Sequence, residues 1–450
     1  IRKTLARIGI QEDSFLKTCH ASFKQGSRFD GWVTGAAGDS YSHPFELPVS
    51  QNGTDVLHAW TRFAPDKPFA EAVCAQVSPA LQNLAPRKRG MPGFMGALNY
   101  AYHLDAPRLA EVIREHAVKK LGVTHIVDHV TEVIGSSDEP IRGVECDKSG
   151  QVMGDLFVDC TGQASLLLGQ HYGVPFVDQR DVLFNDRALV TQIPVTQDSV
   201  IASETVSTAH EAGWIWDIGL TNRRGVGCVY SSTHMEDSKA EDVLRAYVGS
   251  HDGSDVRLLK FNSGHRALFW HENCVAIGLS AGFLEPLEAS AIVLIELSAE
   301  MLSDNLPAAR EALPLEARRF NRLFLYRWER IIEFLKLHYV LSKRQGAYWE
   351  DNRRAETIPE RLQENIDTWS HRPPGPHDFA HASEVFPLSS YLYVAYGMGM
   401  VPKLHPTLRP RVQEALEREM QNVARKQRAL ASDLPTNRAL LSGITLEAAN

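Results

Sequence analysis

Short runs rich in β-branched residues fill the first two-thirds of the chain, and turn residues separate them. Runs at positions 125–127, 131–134, 141–145 and 156–159 are divided by turns such as the one at 148–150, which is typical of hairpins. A further run at 274–278 stops at a cluster of small residues. The pattern predicts several short strands in mixed sheets, because β-branched side chains pack well on a pleated surface.

Helical spacing dominates the remainder of the chain. Apolar residues recur at helical intervals in segments 313–339 and 358–366, and a last helix is expected at 407–430. Two earlier helices are predicted at 107–121 and 291–302. The order predicts an α/β (α+β) fold with mixed sheets, followed by a mostly helical C-terminal region.

The composition is that of an ordinary globular protein, with 44% hydrophobic and 23% charged residues. Its net charge of −8 argues against nucleic acid as a partner. The longest apolar run, at 291–295, is far too short to cross a bilayer, and no signal peptide is visible, so no membrane partner is expected. The six cysteines lack Cys-x-x-Cys spacing, which predicts reduced thiols in the cytoplasm and no metal site.

A strand that ends in an Asp-x-Thr-Gly sequence is the first motif with chemical content. Asp159 closes the strand, and Thr161 and Gly162 follow it. The glycine allows the backbone to approach a flat ligand or a phosphate closely. An ordinary turn explains this motif equally well.

The second motif joins a strand to a helix through small residues at 278–282 and a Glu-Pro-Leu-Glu sequence. The helix is expected to begin near Ser290, so the free amides of Ser290 and Ala291 are candidates for binding an anion. Glu288 stands beside this helix start, where the helix dipole stabilises a carboxylate. The plainer alternative is that Ser290 only caps the helix.

Two further features gain meaning only from context. Trp214 and Trp216 are two apart on a predicted strand, so both indoles project from the same face. They form either a wall or ordinary core packing. Lys24 follows Phe23, and by itself it reads as a solvent-exposed lysine, although a desolvated lysine is a nucleophile or a hydrogen-bond donor.

Together these segments resemble the flavin-dependent tryptophan halogenases and their indole-halogenating relatives. A Trp-x-Trp-x-Ile sequence at 213–218 and the Glu-Pro-Leu-Glu sequence at 285–288 are specific when found together. The supporting segments run in order along nearly the whole chain, at 5–10, 19–24, 41–45, 102–106, 223–227, 230–232 and 396–399.

The resemblance implies a FAD-binding, monooxygenase-like domain in which FADH2, dioxygen and chloride or bromide yield hypohalous acid. It implies that Lys24 holds that acid or takes its halogen, and that Glu288 orients it and helps to remove the proton from the substrate ring. It assigns halide binding to the amides of Ser290 and Ala291. The FAD-binding residues it implies are Asp159, Thr161, Gly162, Gly278, Leu279 and Ala281.

The resemblance also implies an aromatic substrate pocket with a barrier beside it. The pocket is assigned to His43, Phe45 and Phe386, with Trp270 as a further wall, and Trp214 and Trp216 form the barrier that keeps substrate from the flavin. A separate flavin reductase is expected to supply FADH2, and a homodimer is expected. Two regions are expected to pack as one unit: residues 1–305 with the flavin and halide sites, and 306–450 on the substrate side.

Several departures from the family pattern bear on specificity. Gly219 replaces the final proline of the Trp-x-Trp signature, and Ala289-Ser290-Ala291 replaces a Ser-Thr-Gly sequence. The segment that grips the amino-acid end of tryptophan is not recognisable at 377–386, which favours indole as the substrate. The Gly-x-Gly-x-x-Gly fingerprint is absent and the chain opens on Ile1 within a helical pattern, so we expect it to be N-terminally incomplete.

The residues leave two other functions open. An aromatic hydroxylase on the same fold needs neither Lys24 nor a halide ion. A non-catalytic binding protein that retains the flavoprotein fold is the other alternative.

Overall fold

A computed structural model of the protein describes residues 1–249, 255–381, 383–402 and 408–447. The helices in these residues are α1 (Arg2–Ile8), α2 (Glu12–Thr18), α3 (Gly53–Phe63), α4 (Phe69–Val73), α5 (Val77–Leu81), α6 (Ala106–Lys120), α7 (Asp237–Val248), α8 (Ser290–Asp304), α9 (Leu313–Val340), α10 (Ala347–Asp351), α11 (Glu360–Trp369), α12 (Leu388–Gly397), α13 (Pro410–Asp433) and α14 (Asn437–Glu447). The strands are β1 (Ser22–Lys24), β2 (Gly26–Asp30), β3 (Ser40–Pro44), β4 (Ala101–His103), β5 (Val130–Ile134), β6 (Gly143–Cys146), β7 (Gly150–Met153), β8 (Phe157–Asp159), β9 (Phe176–Asp178), β10 (Arg187–Pro194), β11 (Thr205–His210), β12 (Gly213–Gly219), β13 (Arg223–Tyr230), β14 (Arg257–Lys260), β15 (Gly264–Arg266), β16 (Trp270–His271), β17 (Cys274–Ala276) and β18 (Gly282–Phe283).

The chain groups into two spatial units, each assembled from separate stretches of sequence. The first unit comprises 1–114, 187–260 and 333–450, and the second comprises 115–186 and 261–332. This grouping describes proximity of the backbone, and the two functional regions expected at 1–305 and 306–450 stay a prediction.

A seven-stranded mixed sheet organises the first unit, in the order β14-β10-β13-β12-β11-β2-β3. The β11–β2 pair is parallel and the other neighbours are antiparallel. Strand β1 pairs separately with β4, and Lys24 at the end of β1 lies opposite Ala101. In sequence, β1 stands just before β2. Lys24 therefore sits where one strand pair ends and the large sheet begins.

An indole lies across a glycine in the middle of the large sheet. Trp216 on β12 pairs with Gly227 on β13, and a Cβ atom built on Gly227 would stand 2.1 Å from Trp216 Cζ2. A side chain at residue 227 would displace the ring, so the Trp-x-Trp signature depends on a glycine in the neighbouring strand.

The second unit contains three small sheets. One joins β8 and β17 in parallel and adds β16 at the other side of β17. The others are the β5-β6-β7 meander and the β18-β15-β9 sheet. Parallel pairing brings the carboxyl ends of β8 and β17 to the same edge, where ligands bind in open α/β sheets.

Most predicted elements are confirmed. The helices expected at 107–121, 291–302 and 313–339 are α6, α8 and α9, each within two residues of the predicted bounds at either end. The helix expected at 407–430 is α13, and Thr407 of the predicted range lies outside the described residues. It is not the last helix, because α14 follows it. The mixed sheets and the helical C-terminal region confirm the α/β (α+β) class.

One predicted strand is wrong. The β-branched run at 125–127 forms no strand, and Val127 is exposed. Among the described residues no strand pairs with this run, and β structure requires such a partner because its hydrogen bonds are made between strands.

No helix in the described residues is both long enough and apolar enough to cross a membrane.

A buried carboxylate fixes the loop that leads into β4. Glu12 accepts hydrogen bonds from the hydroxyls of Tyr100, at 2.7 Å, and Tyr102, and from the backbone N–H of Phe94 at 2.6 Å. It also pairs with Arg87, and both of these side chains are almost fully buried. Because Tyr102 lies opposite Phe23 in the β1–β4 pair, this network supports the strand that carries Lys24.

We expect Glu12→Ala to destabilise the protein by about 3–5 kcal/mol, because Arg87 is left as a buried charge without its partner. The urea midpoint of unfolding measures the effect. Glu111→Gln is the control, since Glu111 pairs with Arg108 at the surface, where ion pairs contribute little. Equal midpoints for Glu12→Ala and the native protein would contradict the assigned role.

Candidate active site

Two turns at the carboxyl ends of β8 and β17 form the predicted flavin-binding edge. The turn at Gly162–Ala164 follows β8, the turn at Gly278–Ser280 follows β17, and the two turns are in contact. Gly162 and Gly278 both have positive φ angles, 76° and 72°, which favour glycine. The second unit thus brings Thr161, Gly162 and Gly278 together.

The carboxylate of Asp159 holds the backbone at this edge through hydrogen bonds. Its Oδ1 accepts hydrogen bonds from the N–H and hydroxyl of Thr161, and its Oδ2 accepts from the amides of Leu167 and Leu168 at 3.0 and 2.9 Å. Burial alone would raise the pKa of Asp159, but hydrogen bonds from Thr161 and from the amide of Leu168 outweigh it and hold the pKa below its usual value. Asp159 therefore carries a negative charge that organises the backbone after β8.

The surroundings of these turns suit a flat, partly apolar cofactor. No atom lies within 4 Å of a Cβ built on Gly162, so the space above that turn is open. Leu279 is 46% exposed although it is apolar, and a pocket extends from Gly278 and Leu279 past Ala281 to α8. A ring system is the kind of ligand that would cover such surfaces.

The loop before α8 is strained. Glu288 has φ 62° and ψ 8°, and Ala289 has φ 54° and ψ 40°, so two consecutive non-glycine residues adopt the left-handed conformation. Such residues cost free energy and cluster at functional sites. Glu288 is partly exposed, beside the helix start.

The amides at the start of α8 lack a side-chain cap. The N-cap residue is Ala289, which makes no capping hydrogen bond, and Ser290 is already the first residue of the helix. The alternative that Ser290 caps the helix is therefore wrong. The first amides of a helix have no acceptor within it, so Ser290 and Ala291 present N–H groups suited to an anion.

Lys24 is 6% exposed, so the alternative of a solvent lysine is also wrong. Its Nζ lies 5.8 Å from the centre of the Phe45 ring. His103 lies on the same face of the β1–β4 pair, opposite Ser22. Burial, with a smaller effect from the charge of Lys24, holds the pKa of His103 well below its ordinary value, so His103 is neutral at pH 7.

Comparison with known proteins shows which protein family has this arrangement. The sequence profile of the family described as tryptophan halogenase matches residues 1–414. The tryptophan 6-halogenase SttH of Streptomyces toxytricini is 33% identical, over 97% of this chain and 87% of its own length. The crystal structure of a tryptophan halogenase from Shewanella frigidimarina is 43% identical with a TM-score of 0.95, and the match covers 98% of this chain and 86% of that one.

This chain belongs to the tryptophan halogenase family. BrvH, a flavin-dependent halogenase from Brevundimonas sp. BAL3, is also similar, with 30% identity, a TM-score of 0.86, and coverage of 98% of this chain and 90% of that one. The protein is accordingly a flavin-dependent halogenase, an oxidoreductase that uses FADH2 and a halide ion, and the resemblance inferred from the sequence is confirmed.

The predicted pocket residues of the halogenase gather around one aromatic side chain of α9. Phe386 stacks on Phe334 with ring centres 4.0 Å apart, and His43 lies 5.9 Å from the same ring. His43 Nε2 is held by the hydroxyl of Ser390 at 2.9 Å. Phe45 is two residues further along and contacts Lys24, so these residues are grouped near the lysine within the first unit.

Trp270, the further wall predicted for this pocket, is buried in the second unit, where its ring packs edge-on against Phe320 and its Nε1 donates to the carbonyl of Glu272. The structure shows Trp270 packed within this unit, and its place in the substrate pocket stays a prediction.

Trp214 and Trp216 project from the same face of β12, as predicted. Their ring centres lie 6.1 Å apart. Trp214 is fully buried and packs near Trp32 at 6.4 Å, whereas Trp216 is half-buried over Gly227. Trp214 therefore contributes to the core, and Trp216 is the more accessible of the two rings.

Glu204 and Ser390 were missed by the sequence analysis. Glu204 precedes β11 and is buried beside the Lys24 region. A single glutamate before a strand gives no signal in one sequence, because its burial follows from strands that are distant in sequence.

We expect Asp159→Ala to weaken FAD binding roughly tenfold or more, because backbone amides lose their acceptor and each such loss costs about 1–3 kcal/mol. Titration of flavin fluorescence measures the dissociation constant. Asp155→Ala is a matched control, since Asp155 is an exposed carboxylate four residues earlier. An unchanged constant in folded Asp159→Ala protein would show that the turns do not depend on this carboxylate.

Proposed function

We propose that this halogenase acts on free indole, or another small electron-rich ring, in preference to tryptophan. The proposal is supported by the aromatic character of the residues assigned to the substrate pocket, His43, Phe45 and Phe386. Flat apolar walls stack well on a ring of indole size. They offer little to an ammonium and a carboxylate, which lose hydration on entering and need charged partners in return.

Two charged side chains near the start of the segment at 377–386 are engaged with each other. Arg372 pairs with Asp378, whose Oδ2 also accepts from the Nε1 of Trp369 at 2.9 Å and from the N–H of Gly375 at 2.8 Å. A charge satisfied in this way gives little to an amino-acid substrate. This pairing supports indole as the substrate.

We assign the steps of the reaction to residues as follows. Bound FADH2 supplies the reduction of dioxygen through which a halide ion is oxidised to hypohalous acid. Ser290 and Ala291 would hold the halide through backbone amides, and Glu288 would orient the oxidised species and accept the proton from the halogenated ring. Lys24 would hold the hypohalous acid or take its halogen.

We assign the flavin to the edge formed by Asp159, Thr161, Gly162, Gly278 and Ala281, with Leu279 against its ring. Trp214 and Trp216 are the proposed barrier between substrate and cofactor, with Trp216 the more exposed ring.

The remaining assignments concern the source of FADH2, the cellular location and the oligomeric state. A separate flavin reductase is proposed as the source of FADH2, so turnover with NADH and FAD should require added reductase. The proposed location is the cytoplasm, which fits six free cysteines. A homodimer is also proposed.

The hydroxylase alternative predicts product without halide. A non-catalytic protein predicts no product under any supply. The burial of Lys24 next to the aromatic pocket favours the halogenase, because a hydroxylase has no use for a desolvated amine.

We expect Lys24→Ala to abolish halogenation, a loss of at least about 10²-fold, while FAD binding is unchanged, since the proposed flavin residues belong to the other unit. Halide-dependent product formation and a flavin titration measure the two halves. Lys17→Ala, at an exposed lysine of α2, is the control and should retain activity. Normal turnover by Lys24→Ala would remove Lys24 from the mechanism.

We expect indole to be halogenated faster than tryptophan under equal halide and reductase supply. A loose pocket leaves the ring's own reactivity in control, so halogen should enter at the most electron-rich pyrrole carbon. Parallel assays with product identification by mass spectrometry and NMR test both statements. Faster turnover of tryptophan, at one benzo-ring position, would show that the protein grips the amino-acid group.

A further inference from the structure

Glu285 is a buried residue that the reaction scheme above leaves without a role. It is the first glutamate of the Glu-Pro-Leu-Glu sequence, it is 1% exposed, and it follows the end of β18 closely. Its Oε2 accepts a hydrogen bond from the Nδ2 of Asn185 at 2.7 Å. Asn185 has no exposed surface, so two buried polar side chains meet at this point of the second unit.

The β9-β15-β18 sheet brings these two side chains together. Strand β15 lies between the other two strands, and its Gly264 stands opposite both Asp178 of β9 and Phe283 of β18. Beyond this level of the sheet, one chain segment continues to Asn185 and the other to Glu285. The Asn185–Glu285 hydrogen bond therefore joins the loop before α8 to a segment that is 100 positions away in sequence.

This hydrogen bond fixes the first residue of the strained loop before α8. After Glu285 come Pro286, whose ring restricts its φ angle, and Leu287, which is fully buried. Glu288 and Ala289 complete the connection to α8, and both are left-handed. The N–H of Ala289 donates to the carbonyl of Pro286 at 3.0 Å, which closes a tight turn. Such a conformation persists only where the surrounding structure fixes it.

We propose that Glu285, held by Asn185, is a positioning residue for Glu288 and for the halide site. The inference rests on the roles proposed above for Glu288 and for the amides of Ser290 and Ala291. Glu285 acts through the loop, whose conformation sets where the Glu288 carboxyl and the two amides lie.

The proposed chemistry depends on this conformation in two ways. Hydrogen bonds from backbone amides are directional, so they weaken steeply when the N–H turns away from its acceptor. A general base has to lie within hydrogen-bond reach of the proton that it removes. Without the Asn185–Glu285 hydrogen bond, Glu288 and Ala289 can relax out of the left-handed region, which is unfavourable for residues other than glycine. Halide affinity and turnover should then fall together.

The two side chains can be exchanged without changing their sizes. Asn185→Asp places a second carboxyl against Glu285, and at alkaline pH the two carboxylates repel each other because they no longer share a proton. Glu285→Gln retains an oxygen that accepts from Asn185. The double variant Asn185→Asp/Glu285→Gln restores a hydrogen bond in which the new amide donates. A function of the pair therefore predicts damage in Asn185→Asp and repair in the double variant.

The methyl group of Ala289 reports the loop directly by NMR, in protein labelled with ¹³C-methyl alanine at alkaline pH. Its signal is assigned through its loss in Ala289→Gly, because glycine accepts a left-handed conformation. Asn185→Asp should shift this signal, and the double variant should return it to its native position. Asn185→Leu removes the donor without adding a charge and should also shift the signal, so the test does not depend on the folding of one variant.

Asn305→Asp is the matched control at the opposite end of α8. The Nδ2 of Asn305 donates to the carbonyl of Met301 at 3.0 Å, so this variant also removes an asparagine donor and adds a carboxyl. It should leave the Ala289 signal and the halide dependence of the reaction unchanged.

Titration with sodium chloride follows the same signal, against sodium gluconate at equal ionic strength. Asn185→Asp should raise the Kd and the KM for chloride roughly tenfold and lower kcat, with no change in the KM for indole. A native Ala289 signal in folded Asn185→Asp and Asn185→Leu, or damage that the double variant does not repair, overturns the inference. If chloride leaves the signal unmoved even in the native protein, the proposed halide site fails instead, and the shift in Asn185→Asp still shows whether the pair positions the loop.

Discussion

The burial of Lys24 is the constraint that the surrounding residues of the first unit have to satisfy. A buried ammonium is costly unless neighbouring groups compensate for lost hydration. The structure supports the strand of Lys24 through the β1–β4 pair, which Glu12 holds through Tyr100 and Tyr102, and Glu204 lies near enough for the charge of Lys24 to act on its pKa.

In the second unit, the corresponding constraint is the backbone conformation of the loop before α8. Two left-handed residues, Glu288 and Ala289, start α8 without a side-chain cap and leave its first amides available. A capping side chain would satisfy those amides and leave none for an anion. The strained conformation at Glu288 and Ala289 therefore accompanies the uncapped amides to which we assign halide binding as a proposal.

Periodicity predicted the elements whose signal is local. Helices α6, α8 and α9 follow from apolar spacing, and the strand ending at Asp159 follows from its turn residues. The run at 125–127 has the same composition yet forms no strand, because strand formation depends on a partner elsewhere in the chain. The burial of Trp270 was not visible in the sequence for a related reason: an aromatic residue looks the same in one sequence whether it lines a pocket or fills a core.

By itself, the sequence determined the fold class, the halogenase family and the identity of the motifs that carry its chemistry, because these depend on residue types at short, fixed spacings. Only the tertiary structure decided that Lys24 is buried, that Ser290 begins a helix without capping it, and that Glu204 stands beside the lysine. Glu204 and Lys24 are 180 positions apart. Their proximity depends on the pairing of β2 with β11, and the burial of both groups depends on everything packed around them.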